Sequence, residues 1–342
     1  MTKGLGSRGL FRGKAPPDQT LVPTPGPRTY FPMLSFILRR LLQTIPTILA
    51  VVALIFMLFS IIPGSFVSSL GDDGRGLDTE VYERMRKELG LDDPVHVRFG
   101  RYVGGLVTGD FGTSFKTKEP VTTMITKRMV PTLLLVFAAM LIAMALGIPL
   151  GFVAALKPGS LIDTVSIFGA VSGLALPKFW LGLLLMYLFA LKLKWLPSFG
   201  YGDGDLKHLL LPAITLGVSP MALFARTTRA AVLEIMSADF VRTARSKGMS
   251  ERRVLTWHVM RNAAVLIVTI IGLQFGALMG QAVVVEKLFS WPGLGSLLVD
   301  SVIQRDIPAV QGSILVIVLC FLAVNTLIDV LYGLIDPRIK YA

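Results

Sequence analysis

The side chains best suited to polar chemistry lie in one basic segment, residues 234–262, which separates two apolar runs. Ser237 is predicted to cap a helix over 238–247, because its hydroxyl can accept a hydrogen bond from an unpaired backbone N–H group. Gly248 fits the left-handed position that ends a helix, and Ser250 is predicted to cap a second helix. The sequence therefore predicts a helix, a tight glycine turn and a helix in the aqueous phase.

Three functions fit this basic segment. It suits a solvated loop that obeys the positive-inside rule, a DNA-binding helix-turn-helix, or a docking element for a soluble partner. The DNA-binding hypothesis is the weakest, because both ends of the segment join apolar runs within a few residues. The first predicted helix would carry Phe240, Val241 and Ala244 on one face, which favours packing of that face against something apolar.

Three polar side chains within the apolar runs are candidates for lining a pathway. Lys178 follows Pro177 at membrane depth, where a lysine either extends its ammonium group to the interface or serves a pathway. Gln274 and Gln281 lie in the fifth apolar run of the chain, residues 263–285, which also contains glycines at 272, 276 and 280. That pattern suits close helix packing with hydrogen bonds between helices, and it also suits a face that lines the pathway.

Composition identifies the whole chain as an integral membrane protein. Of its 342 residues, 53% are hydrophobic and 16% are charged, whereas about a quarter of the residues in a soluble domain are charged. The net charge of +12 is explained first by anionic lipid and membrane topology. The single cysteine, Cys320, excludes a disulfide within the chain and a cysteine-based metal site.

Six apolar runs predict an all-α integral membrane protein with six transmembrane helices, because the runs are far longer than barrel strands. The runs cover 41–62, 129–156, 163–191, 209–225, 263–285 and 307–334. Pro177 is predicted to break the third helix. Residues 33–342 thus form a transmembrane domain, and the Gly- and Pro-rich residues 1–32 are predicted to be a disordered tail.

The distribution of basic residues predicts the orientation. The inner loops and tails carry 18 Lys and Arg residues, against five in the short outer loops. The positive-inside rule then places both termini and the basic segment in the cytoplasm. Residues 65–128, whose charges balance, are predicted to be an extracytoplasmic segment containing a helix over 79–89.

Several segments resemble the permease subunits of ABC importers. Residues 239–250 read DFVRTARSKGMS and, with 261–263, resemble the cytoplasmic EAA loop of that family. Residues 286–295, which read EKLFSWPGLG, and 336–338, which read DPR, resemble the dipeptide/oligopeptide (peptide/nickel) branch, and its dipeptide-permease B-type subunit in particular. The segments ELGLDDP and GDFGTS resemble the first external segment of the same branch.

The resemblance implies a type I ABC-importer permease fold and a subunit that forms half of a pathway for di- or oligopeptides. It implies a second homologous permease, two ATPase subunits that carry ATP and Mg²⁺, and an extracytoplasmic binding protein. The basic segment would be a coupling helix seated on the ATPase, shaped or held by Asp239, Arg242, Ala244, Arg245, Lys247 and Gly248. The external segment with Trp291, Gly293 and Gly295 would dip towards the pathway and help to form a gate.

Other classes fit less well. The chain contains no Gly-x-x-x-x-Gly-Lys-[Ser/Thr] motif, so ATP must be hydrolysed on a separate chain, and we expect no cofactor or metal on this one. An ion-coupled secondary transporter would bury carboxylates at the bilayer centre, whereas Glu286, Asp300 and Asp329 lie near span ends. A membrane hydrolase lacks both a Gly-x-Ser-x-Gly elbow and a His-Glu-x-x-His pair. We therefore expect a transporter subunit of a bacterial inner membrane rather than an enzyme, with dipeptides, longer peptides, glutathione and metal chelates all open as substrates.

Overall fold

The computed structural model describes residues 33–61 and 93–335, and most of them are helical. The helices are α1 (Met33–Ile61), α2 (Val95–Thr108), α3 (Val121–Leu156), α4 (Leu161–Ala175), α5 (Lys178–Leu185), α6 (Leu206–Met236), α7 (Asp239–Ser246), α8 (Glu251–Arg253), α9 (Arg261–Leu288), α10 (Leu294–Ile303) and α11 (Ile307–Ile335). A π-helical segment, Met186–Lys192, prolongs α5, and a second, Val254–Met260, joins α8 to α9. The predicted tail 1–32, the predicted helix 79–89 and the DPR segment 336–338 lie outside the described residues.

Within these ranges, five helices are long and apolar enough to cross a membrane: α1, α3, α6, α11 and the helix that runs continuously from Glu251 to Leu288. Helix α4 and the helix that runs from Lys178 to Lys192 are bent by 109° at a short break, and the number of spans is six when this pair is counted as one. The bend falls at Pro177, because proline cannot donate the backbone hydrogen bond that would continue α4 and it disfavours a helical conformation in the preceding residue. The six predicted spans and the predicted break are confirmed.

Helix boundaries differ from the predicted spans at the basic segment. Helix α6 continues past 225 to Met236, and the second predicted helix of the segment is not a separate element. This second helix, which begins at Glu251, continues through the π-helical segment into α9, because no Gly or Pro interrupts residues 249–271. The basic segment is therefore one short helix held between two long ones.

Helices α3 and α6 approach each other closely at glycines. A Cβ atom on Gly147 would lie 2.5 Å from the carbonyl oxygen of Met221, and one on Gly151 would overlap the carbonyl oxygen of Ala225. The helix α3 runs unbroken through these glycines and Pro149. Small residues let two backbones pack directly in a membrane, where no hydrophobic effect drives helices together.

The predicted glycine stripe of the fifth span also packs, at two of its three positions. Gly272 faces Ile328 and Gly276 faces Phe321, both on α11. A Cβ atom on Gly280 would have no neighbour within 4 Å. Gly272 and Gly276 therefore let α9 pack against α11, whereas there is open space at Gly280.

Candidate functional site

The short helix α7 begins one residue later than predicted, and Ser237 does not cap it. Ser237 ends α6 with helical backbone angles, and its hydroxyl donates a 2.6 Å hydrogen bond to the carbonyl of Glu234. The extended N-cap position belongs to Ala238, which has no side-chain acceptor. Ser250 does occupy the N-cap position of α8, but its side chain makes no capping hydrogen bond there.

One face of α7 is fixed to the helix bundle. Val241 and Ala244 are 0% and 6% exposed and pack in a cluster with Ala155 of α3 and Val232 of α6. Phe240 is 46% exposed, so the prediction that it shares this face is wrong. The buried stripe is narrow because the eight-residue helix presents only its i, i+3 pair to the bundle.

The other face of α7 projects polar side chains into solvent. The side chains of Asp239 and Arg242 are 97% and 80% exposed, and Lys247 is exposed as well. Arg245 makes a two-pronged ion pair with Glu251, with N–O distances of 2.6 and 3.1 Å. This hydrogen-bonded carboxylate raises the pKa of Arg245 above its ordinary value. The chain thus offers cations on a helix whose opposite face is packed against the bundle.

Aromatic side chains extend this polar surface. Trp257, in the second π-helical segment, is 61% exposed, and the Arg261 guanidinium lies 5.3 Å from its ring centroid. Phe240 is exposed on α7. Exposed aromatic rings beside arginines are typical of the side chains that contribute most to protein interfaces.

Gly248, in the turn that follows α7, has a left-handed conformation, as predicted. Its φ is +74°, and its N–H donates a 2.9 Å hydrogen bond to the carbonyl of Arg245. A Cβ atom at this position would meet nothing within 4 Å. The backbone conformation, rather than lack of space, is therefore what favours glycine here.

Three of the predicted pathway candidates lie together at the break between α4 and α5. Lys178, Gln274 and Gln281 line one open groove of about 450 Å³, whose walls also include Pro177 and Pro220. The Lys178 ammonium donates a hydrogen bond to the side-chain carbonyl of Gln281. The first turn of α5 thereby faces the middle of α6 and the second half of α9.

Two of the other three pathway candidates, Gly293 and Gly295, lie against a carboxylate that is not among the predicted site residues. Glu286 is 0% exposed and accepts hydrogen bonds from the Thr132 hydroxyl at 2.6 Å and the Ser296 N–H at 3.0 Å. A Cβ atom on Gly293 would overlap this carboxylate, and one on Gly295 would lie 3.0 Å from its Oε2. The two glycines thus leave room for a buried acid at the start of α10.

Trp291 belongs to the same packed region. It is 0% exposed, and its indole N–H donates a 2.9 Å hydrogen bond to the carbonyl of Pro131. Its ring meets that of Tyr201 edge to face, with centroids 4.8 Å apart. Trp291, Gly293 and Gly295 are buried and do not line the groove at Lys178, and their role in a gate stays a prediction. Glu286 stands in the same EKLFSWPGLG segment as these two glycines, but nothing in that segment indicates that its carboxylate is buried.

A second buried carboxylate joins the GDFGTS segment to the residue that precedes α11. Asp306, which is 2% exposed, accepts hydrogen bonds from the Ser114 hydroxyl at 2.5 Å and from the Phe115 N–H at 3.1 Å. The GDFGTS segment is thereby held against the start of α11. In the part of the chain that the structure describes, no group of three or more His, Cys, Asp or Glu side chains has the geometry to hold a metal ion.

Comparison with known proteins agrees with this architecture. Residues 147–341 match the family described as "Binding-protein-dependent transport system inner membrane component", and residues 33–136 match the family described as its N-terminal membrane component. The chain is 43% identical over 309 residues to the glutathione transport system permease protein GsiC of Salmonella paratyphi A (strain ATCC 9150 / SARB42), and equally to that of Escherichia coli (strain K12). Each alignment covers 90% of this chain and 100% of the relative.

Among solved structures, the fold is similar to a chain of the inward-facing MetNI methionine ABC transporter. The TM-score is 0.53 at 16% sequence identity, over 62% of this chain and 96% of the other. This likeness concerns the fold alone. The family match over more than half of the sequence and the 43% identity to a permease establish that the chain belongs to the binding-protein-dependent transport system inner membrane components and is a permease subunit of an ABC importer, and its fold is type I.

Proposed function

We propose that this chain forms half of the translocation pathway of an ATP-driven importer of short peptides and that residues 234–262 couple it to a separate ATPase. The observation that carries the proposal is the two-sided character of α7. Its apolar face is buried against α3 and α6, and its polar face is in solvent. A partner that binds the polar face of α7 could therefore transmit its own motion to the bundle.

The connections of α7 support this coupling role. It lies between the end of α6 and the helix that continues into α9, and both of these helices contribute to the groove at Lys178. Closure of an ATPase dimer would displace α7, and the displacement would pass along α6 and α9 to the groove. Such rigid-body gating would alternate between two discrete states. ATP and Mg²⁺ would be bound by the ATPase and not by this chain.

Short peptides are the substrate class that the resemblance and the relatives favour. The names of the relatives include glutathione. Glutathione is itself a tripeptide with two carboxylates. The resemblance and the names of the relatives both support a small peptide, so glutathione is the first compound to test. An extracytoplasmic binding protein would deliver it, and a second homologous permease would supply the other half of the pathway.

We further propose that the chain resides in a bacterial inner membrane with both termini and residues 234–262 in the cytoplasm. The excess of Lys and Arg in the predicted inner loops supports this orientation. The geometry is compatible with this orientation, because α7 packs at Ala155 near the end of α3, whereas Glu286 contacts Thr132 in the first third of that helix. The coupling surface and the buried acid therefore lie towards opposite ends of the bundle.

The chain has one native cysteine, so a single substitution gives a cysteine-free background for the experiment. After Cys320→Ala, one new cysteine is placed at Arg242, and a matched variant carries it at Lys207, an exposed residue in the first turn of α6. In the importer co-expressed with its partner chains, we expect the Arg242→Cys variant to cross-link to the ATPase and to react with an impermeant maleimide only after the membrane is opened. The Lys207→Cys variant should react from outside and form no such cross-link.

Two results would overturn the proposal. Recovery of the chain without any ATPase, and without an Arg242→Cys cross-link, would remove the coupling role. Absence of ATP-dependent uptake of labelled glutathione and of short alanine peptides into proteoliposomes containing all partner chains would remove the substrate class.

A further inference from the structure

Among the described residues, the groove between α5, α6 and α9 contains one cation, and no counter-ion lies beside it. Lys178 is the one charged side chain among the described residues that line the groove. Its ammonium donates to the neutral side chain of Gln281, and none of the ion pairs found in the described ranges includes it. An ammonium group within a membrane protein is costly unless something compensates its charge.

We propose that this groove binds a carboxylate group of the transported peptide, with Lys178 as its charged partner. The proposal rests on the proposed function, since it assigns part of the pathway to a peptide. It adds a binding site and a requirement on the substrate: a free carboxylate.

The donors in the groove suit a carboxylate. An ammonium group has three protons, and Gln281 accepts one of them. The side-chain amides of Gln274 and Gln281 each carry an NH₂ group, and a carboxylate can accept from several donors at once. The groove therefore offers a positive charge and neutral donors, and among its described lining residues no carboxylate competes for them.

The remaining walls suit the uncharged part of a short peptide. Leu174, Leu176, Pro177 and Pro220 give the groove apolar surface beside its polar side chains. The break between α4 and α5 provides the space, because the bend of 109° turns α5 away from the line of α4. The groove is open on one side, so the second permease of the importer would cover a bound peptide there.

The test compares two probes in the complete importer, reconstituted with its ATPases, second permease and binding protein. One probe is the peptide Ala-Ala-Ala with a free carboxylate, and the other is its C-terminal amide. Lys178→Gln keeps a hydrogen-bonding side chain and removes the charge, whereas Lys178→Arg keeps the charge. Because the binding protein is the same in every sample, each uptake rate is divided by that of the unsubstituted importer for the same probe.

We expect Lys178→Gln to lower uptake of the free acid by roughly 10- to 100-fold, as for loss of a charge-assisted hydrogen bond. Uptake of the amide should fall by a smaller factor than uptake of the free acid, because the amide has no negative charge for Lys178 to compensate. Lys178→Arg should restore uptake of the free acid. A carbodiimide, which joins a carboxylate to an adjacent amine, should attach the free acid to Lys178 in the unsubstituted importer, as mass spectrometry would show.

Equal losses for both probes, or no loss for either, would overturn the carboxylate site while leaving the proposed function intact. Absence of ATP-driven uptake of both probes and of glutathione by the unsubstituted importer would instead count against the proposed function. If Lys178→Gln does not assemble, the carbodiimide reaction decides the matter: an adduct on Lys178 supports the site, and its absence, with adducts on exposed Lys192 only, contradicts it.

Discussion

The hydroxyl of Thr132 donates a 2.6 Å hydrogen bond to the carboxylate of Glu286, which lies 154 residues further along the chain. The same hydroxyl oxygen accepts a 2.7 Å hydrogen bond from the N–H of Leu294. One side chain of α3 therefore joins the end of α9 to the start of α10. This junction holds the short α10 in place, and α10 is followed after three residues by the last span.

Replacing Thr132 with valine should destabilise the permease. Valine has nearly the same shape but no hydroxyl, so the buried Glu286 carboxylate loses a donor and the Leu294 N–H loses its acceptor. Unsatisfied buried groups cost about 1–3 kcal/mol each. Thermal unfolding of the purified importer in detergent should show a lowered midpoint for Thr132→Val. The exposed Thr126→Val on the same helix is the control, and equal midpoints for the two variants would contradict a structural role for the Thr132 hydroxyl.

Two glycine-to-alanine substitutions should differ sharply in their effect. At Gly293, a Cβ atom would overlap the Glu286 carboxylate, which is fully buried and cannot move into solvent. We expect Gly293→Ala to cost about 1–3 kcal/mol, as for other overpacked sites. Gly280→Ala meets no atom within 4 Å and should be tolerated. The measurement is the amount of folded importer recovered by size-exclusion chromatography together with its unfolding midpoint, and a stable Gly293→Ala protein would show that the carboxylate has room to shift.

Gly248→Leu should impair ATP-driven uptake. A branched side chain in a left-handed conformation costs about 1–2 kcal/mol, so the turn after α7 would shift and the polar face of α7 would be presented differently. Gly248→Asn is the matched control, because asparagine tolerates this conformation. Uptake and ATPase recovery are measured in parallel. If Gly248→Leu transports as well as Gly248→Asn, the shape of this turn is not needed for coupling.

Charge reversal on the exposed face of α7 should weaken ATPase association without destabilising the permease. Arg242→Glu and Lys247→Glu change side chains that lie in solvent, where single charges contribute little to folding. At an interface, an unfavourable charge contact costs several kcal/mol, so we expect association to weaken by at least about tenfold. Lys207→Glu, on α6, is the control. Microscale binding measurements on the purified subunits test this, and unchanged affinity in both α7 variants would place the ATPase elsewhere.

Local sequence patterns predict much of the fold. The apolar runs predicted the number of spans, and Pro177 predicted the break in the third, because backbone hydrogen bonding and helix length are local constraints in lipid. Gly248 was assigned correctly for the same reason, since a left-handed turn depends on the residue itself. The helix boundaries near Ser237 were wrong, because a serine can accept hydrogen bonds from the following helix or donate them to the preceding one.

The polar side chains of the spans were harder to interpret. Gln281 and Lys178 were selected one by one as polar residues in apolar runs, and nothing in their spacing indicated that they bond to each other. Glu286 does lie near the end of its span, as its position along the chain indicates. Its burial also depends on a hydrogen bond from Thr132, 154 residues away, and on how the chain folds back to bring Gly293 and Gly295 against the carboxylate.

The sequence by itself determined that this protein is a six-span helical membrane protein of the ABC-importer permease family with a basic, glycine-turned segment, because length, hydropathy and local motifs suffice for these properties. Only the tertiary structure decided which side chains meet. The ion pair between Arg229 and Asp163, the buried Asp306 at Ser114 and the groove at Lys178 each join residues far apart along the chain. Such contacts follow from how the helices pack, and packing depends on the shapes of all the helices together.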